Sequence, residues 1–171
     1  MKKLLSLFII MVMISFSSIA SKDDKIKKDR ADQAENKILD VAVQSEFLTI
    51  LVKAIQAGDL ASTLQGDGPF TVFAPTNEAF NKLPGGTLEE LMQPANRAKL
   101  QEILNNHVVQ GKIMSKDLSD GQNLQSISNR QLNLRKVGNQ FMINGATITS
   151  PDVLASNGVI HIIDTLMLPK R

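Results

Sequence analysis

The sequence contains no cysteine, no tryptophan and no tyrosine, and only two histidines. Lack of Cys excludes disulfides, thiol nucleophiles and Cys-ligated zinc, so the fold rests on its core alone. A chain of this size can bury about two thirds of its unfolded surface, which is enough. Lack of Trp and Tyr leaves little for stacking on sugars. Beyond residue 20 the aromatic side chains are Phe47, Phe70, Phe73, Phe80 and Phe141. The first four fit a helix stripe, or the first strand and the helix after it, and are predicted to be core. An excess of one charge is also missing. Of 19 Lys+Arg, Lys2 and Lys3 lie at the extreme N-terminus, and the rest balance 17 Asp+Glu. The one-sided basic footprint of a nucleic-acid binder is absent.

Catalytic patterns are missing as well. His107 and His161 stand alone among apolar neighbours, with no His-x-His, His-x-x-x-His or His-Glu-x-x-His spacing. No zinc or iron site and no cofactor are expected, and both histidines are predicted to be buried and hydrogen-bonded. His161 and Asp164 are close in sequence, but residues three apart on a strand face opposite sides. No Gly-x-Ser-x-Gly elbow or phosphate-binding glycine loop occurs. The adjacent carboxylates Asp23-Asp24 and Glu89-Glu90 read as linker and helix-start charges. Met92, Met114, Met142 and Met167 are too scattered for a soft binding groove, and filling core gaps suits them better.

What is present begins with an export pattern. Lys2 and Lys3 precede an apolar run over residues 4–16, and Ser18-Ile19-Ala20 offers small residues where a signal peptidase reads. The run is shorter than the roughly 20 residues of a membrane span. Residues 1–20 are therefore read as a signal peptide, with an uncleaved interfacial anchor as the alternative, and no membrane span is expected after cleavage. The absence of Cys excludes a lipoprotein anchor. Residues 21–36 are charged and nearly free of apolar side chains, either a flexible linker or a frayed helix. A single domain is expected over residues 37–171.

Within it, Ser45 is predicted to cap a helix burying Phe47, Leu48, Leu51, Val52 and Ile55, ended by Gly58. A short helix follows over 60–64, then a turn at Asp67-Gly68-Pro69 and a strand over 70–74. Thr76 caps a helix that turns Ala79 and Phe80 inward. Thr87 and Glu90 suggest a capping box. Pro94 opens a helix to Asn105 with Leu100, Ile103 and Leu104 on one face. Short strands are predicted over 107–109, 124–127, 132–137, 141–143 and 146–149, with hairpin turns at Gly138-Asn139 and Asn144-Gly145. The last strand, 159–168, is apolar on both faces and belongs inside a sheet.

Two segments carry a resemblance. Phe70-Thr71-Val72-Phe73-Ala74-Pro75-Thr76-Asn77-Glu78-Ala79-Phe80 and Asn157-Gly158-Val159-Ile160-His161-Ile162-Ile163-Asp164, with Leu166, Leu168 and Pro169, are similar to the two signature blocks of fasciclin-like domains. Residues 105–109, followed by Gly111-Lys112, resemble the segment between them. The resemblance spans about residues 37–169 and implies an α+β fold, a wedge of two β-sheets with several helices packed at one side. It implies an exported or surface-held adhesion module, with no enzyme activity and no fixed cofactor. Its partner would be a matrix protein, a receptor or an envelope component. Carriage of a carotenoid- or lipid-like molecule is the alternative, and a degenerate hydrolase the third reading. A short signal and no Asn-x-Ser/Thr sequon fit a bacterial chain.

The block residues Thr76, His107, Asn157, Gly158, His161 and Asp164 are read as structural. Asn106 replaces the tyrosine of the family's Tyr-His pair, so receptor contacts attributed to that tyrosine do not carry over. Pro151-Asp152-Val153-Leu154 resembles an acidic loop linked in the family to integrin recognition. It is the candidate partner-binding loop, and Asp152 is alternatively read as the cap of a short turn with Val153 and Leu154 facing the core.

Overall fold

The computed structural model describes residues 36–168, which lie in the compact unit Gln33–Arg171. The expected signal peptide, and the linker up to residue 35, fall outside the described residues, as does Pro169. The chain runs α1 (Ile38–Val43), α2 (Thr49–Ala57), α3 (Ala61–Leu64), β1 (Phe70–Pro75), α4 (Asn77–Asn81), α5 (Thr87–Leu91), α6 (Arg97–Asn105) and β2 (Val108–Gln110). There follow β3 (Asn123–Gln125), β4 (Gln131–Val137), β5 (Gln140–Ile143), β6 (Ala146–Ala155) and β7 (Gly158–Ile163).

The strands form one ladder in the order β2-β1-β7-β6-β5-β4-β3. β1 and β7 run parallel, and every other pair is antiparallel. β6 joins the two halves of the wedge. Its start pairs with β5 and its remainder with β7. β7 lies inside the sheet, as its two apolar faces require, and each face of the β1–β7 pair meets its own core. Val72, Ala74 and Ile160 pack with the helices, against Leu51, Ile55, Leu100 and Leu104. Phe73 and Ile163 pack into the wedge, against Leu132, Leu134 and Ile143.

Several local signals act as expected. Thr76 Oγ1 accepts the Ala79 N–H at 3.3 Å and caps α4. Asn144 and Gly145 both take positive φ, the conformation a tight two-residue hairpin needs. Other expectations are corrected. Residues Glu46–Leu48 form a 3₁₀ turn before α2 begins, Ser45 makes no side-chain cap, and Leu48 takes the inward place. Phe47 is therefore 68% exposed instead of buried. No Thr87–Glu90 capping box forms, because Gly86 (φ 83°) is the N-cap and Thr87 already lies in the helix. His107 precedes β2 instead of joining it. β3 ends at Gln125, and the last strand ends at Ile163, where Asp164 closes the ladder with its side chain.

The tightest packing is at the start of β7. The Asn157 side chain ties three elements together. Its Oδ1 accepts the Ile38 N–H at 2.9 Å, and its Nδ2 donates to Leu64 O at 2.7 Å and Gly66 O at 2.9 Å. Its backbone carbonyl accepts Phe70 N–H at 3.0 Å. A Cβ on Gly158 would lie 1.9 Å from Phe70 O. Gly158→Ala is expected to destabilise the protein by about 3 kcal/mol, because main chain has to move to make room. Gly85→Ala has open space around it and should shift stability by less than about 0.5 kcal/mol. Urea unfolding of both variants checks this, and equal midpoints would refute the crowding argument.

Candidate functional site

Both histidines are buried and both are committed to main-chain partners. His107 Nδ1 lies 2.7 Å from Ile103 O, and Nε2 accepts the Met167 N–H at 2.9 Å. His161 Nδ1 accepts the Asp152 N–H at 3.2 Å, and Nε2 lies 2.8 Å from Ile113 O. A ring nitrogen that accepts an N–H carries no proton, so the other must donate. His107 is thus the Nδ1–H tautomer and His161 the Nε2–H tautomer, both neutral. Burial lowers the His107 pKa to about 4 against the raising effect of its bond to Ile103. Burial also lowers that of His161, opposed by its bond to Ile113 and the charge of Asp152. The His161 ring stacks on Phe73 with centroids 5.5 Å apart. Neither ring has a nitrogen left for a metal or a substrate.

Pro151-Asp152-Val153-Leu154 is part of β6 and not a loop, which corrects the sequence reading. The β6–β7 register slips twice, between Ile148 and Ser150 and between Ser150 and Val153. These bulges put Asp152 into the left-handed region (φ 61°) beside His161. Its carboxylate accepts the Ser115 N–H at 2.7 Å and the Ser115 hydroxyl. Asp152 is thus held between the 3₁₀ turn Ser115–Asp117 and β7. Of the four residues, Pro151 is exposed, the other three are half-buried, and Val153 packs against the helical core. No local motif announced Ser115, because its partner lies 37 residues away.

The remaining motif residues also serve the fold. Asp164 Oδ1 accepts the Thr147 N–H at 2.8 Å and the Thr165 hydroxyl at 3.1 Å. Burial alone would raise its pKa, but these bonds and Lys82 outweigh it and leave the pKa lowered. Asp164 does not pair with His161. Asn106 is 2% exposed and donates to Met167 O at 3.2 Å, so this position points into the fold. Among the described residues, no group of three or more His, Asp or Glu is placed to hold a metal ion. No described helix is long and apolar enough to cross a membrane.

The fold matches part of a FAS1 domain pair from the insect cell adhesion molecule Fasciclin I, with a TM-score of 0.71 at 19% identity, over 78% of this chain and 51% of that one. The family model for the fasciclin domain matches residues 46–169. The chain belongs to the fasciclin domain family. It is 46% identical over 132 residues to Protein sll1483 of Synechocystis sp., covering 77% of this chain and 73% of that protein. It is 32% identical over 144 residues to the cell surface glycolipoprotein MPB83 of Mycobacterium bovis, covering 81% of this chain and 63% of that protein.

The buried neutral histidines set a pH dependence. Below about pH 6.5 an unfolded histidine takes up a proton that the folded protein refuses, so stability falls as pH falls. For His107, with a folded pKa of about 4, the loss accumulates from about pH 6.5 to 4 and reaches on the order of 3 kcal/mol. Urea unfolding at pH 7.5 and pH 5 should differ by about 2 kcal/mol from this residue, with a further loss from His161. His107→Gln should flatten the slope. A wild-type stability that is constant across this interval would contradict the assignment.

Proposed function

We propose that this protein is an exported, non-enzymatic binding module acting at a surface outside the cytoplasm, where it engages a matrix protein, receptor or envelope component. One observation carries this reading. The polar side chains of the signature blocks are spent on main-chain hydrogen bonds: His107, His161, Asn157 and Asp164 all hold backbone groups of distant segments. Such residues build a scaffold and leave the surface to provide function. The leader pattern of residues 1–20 supports export. A relative named as a cell surface glycolipoprotein supports the location.

The contact segment proposed is Pro151–Leu154, with Pro151 outermost, Leu154 half-buried and Val153 anchoring the segment on the helical core. Asp152 supports this segment from beneath. The test uses the exported protein as bait on solubilised native envelope and culture medium. Pro151→Lys should retain wild-type melting and weaken capture of the retained component at least tenfold, about 1.4 kcal/mol. Asp152→Ala should instead destabilise the domain by about 2 kcal/mol, through lost bonds to Ser115 and an unfavourable left-handed alanine. Undiminished capture by a stable Pro151→Lys variant would remove this segment as the contact. Turnover of ester or glycoside substrates by the pure protein would overturn the non-enzymatic reading.

A further inference from the structure

Four large apolar side chains are exposed among the described residues, and two of them lie four positions apart. Val43, the last residue of α1, is 58% exposed, and Phe47 is 68% exposed. Isolated apolar residues are ordinary on a protein surface. What sets this pair apart is how firmly it is presented. Leu48 is buried beneath the 3₁₀ turn Glu46–Leu48, and its N–H donates to Ser45 O at 3.2 Å. Asn77, from the first signature block, grips the turn on both sides. Its Nδ2 donates to Glu46 O at 2.9 Å, and its Oδ1 accepts the Ile50 N–H at 3.0 Å and the Thr49 hydroxyl at 3.2 Å. Phe47 sits between these held points, so its main chain cannot turn the ring inward without breaking them.

The charges around the pair are of one sign. Asp40, Glu46 and Glu78 are exposed, and no basic residue occurs between Ile38 and Val52. The bond from Asn77 to Glu46 O brings Glu78 to the turn. The neighbouring cations are drawn away. Lys37 Nζ donates to Gln65 O at 2.6 Å, Lys82 Nζ donates to Asp164 O at 2.8 Å, and Lys53 lies in the second turn of α2. Among the described residues, none of the three carboxylates is in an ion pair. An apolar pair with an acidic rim disfavours three occupants. A second copy related by two-fold symmetry would set acid against acid. An anionic lipid surface would repel the same carboxylates. Residues 21–35 of this chain carry five acids against five bases and one large aliphatic side chain, Ile26, so they match neither half of the patch.

We propose that Val43 and Phe47 dock a basic segment of a partner polypeptide, one that carries lysine or arginine beside aliphatic side chains. The aliphatic groups cover Val43 and Phe47, and the cations meet Asp40, Glu46 and Glu78. An arginine in that place can also lie over the face of the Phe47 ring. Aromatic side chains are enriched at protein interfaces. An anchor already fixed in the free protein loses little freedom on binding. Opposite charges at the rim speed encounter and select against acidic partners. The inference goes beyond the contact segment Pro151–Leu154 and concerns a separate surface.

The test pans a phage-displayed random heptapeptide library on the exported protein. The enriched peptides are then synthesised, and their binding is followed by titration and by NMR of the protein amides. Enriched peptides should combine Lys or Arg with aliphatic residues and shift the Val43, Glu46 and Phe47 amides. Their binding should weaken as salt is raised. Phe47→Ala should melt as the wild type does and weaken peptide binding by about tenfold or more. Glu46→Gln with Glu78→Gln should weaken it about threefold. If Phe47→Ala melts early, Glu46→Lys with Glu78→Lys, which reverses the rim charge, decides by the same measure as Phe47→Ala. No enrichment, enrichment of acidic peptides, or wild-type binding by the deciding variant would overturn the proposal. So would a shift of the Lys25–Lys28 signals in the free protein on Phe47→Ala, since the chain's own segment would then fill the site. Peptides that shift only residues 150–154 would overturn it while supporting the other contact surface, so the two readings fail separately.

Discussion

The approach of Phe70 to Gly158 is the constraint on which the rest of the architecture depends. Two parallel strands from opposite ends of the domain start side by side, and they close so tightly that no Cβ fits between them. Asn157 fixes the same point from the other direction, joining the start of α1 to the end of α3 through its side-chain amide and holding the start of β1 through its backbone carbonyl. Each bond is ordinary in strength, but each buried main-chain group would cost about 1–3 kcal/mol if left unpaired. The parallel pair is therefore set by local crowding and a shared polar hub together. Its interior position then follows, because both of its faces are already apolar.

That central pair divides the interior into a helical core and a wedge core, and the two histidines, His161 within β7 and His107 just before β2, are fastened in matching fashion. Each accepts a main-chain N–H through one ring nitrogen and faces a main-chain carbonyl through the other. His107 joins the end of α6 to the segment after β7. His161 joins β7 to the bulge of β6 and to Ile113. A buried neutral imidazole is suited to this work, since it offers one donor and one acceptor without the desolvation cost of a charge. Its drawback is proton uptake in the unfolded state, which is the origin of the acid sensitivity derived above.

What could be read from the sequence was what local chemistry decides. Thr76 before a helix, Asn144-Gly145 between strands, the doubly apolar last strand and two isolated histidines among apolar neighbours all carry their meaning within a few residues. What escaped depends on distant partners. Phe47 has the spacing of a core residue, but the 3₁₀ turn before Thr49 gives the inward place to Leu48. Thr87 and Glu90 match a capping box in type, yet Gly86 starts the helix one residue earlier. Pro151-Asp152 looks like a loop because proline and aspartate disfavour strands. The paired bulges and the grip of Ser115, 37 residues away, make it strand all the same.

The same division governs where function can reside. A residue that holds a distant main-chain group cannot be given a second task without loosening the fold, and here the family's most recognisable side chains are of that kind. Variation is cheap instead where the scaffold only presents groups, as at the outer side of the β6 bulge. Pro151 lies on such ground, exposed and not needed for the core. A rigid frame stabilised by buried amides and imidazoles can therefore change at such exposed positions without loosening its core. This explains physically why the signature blocks identify the fold and say little about the ligand.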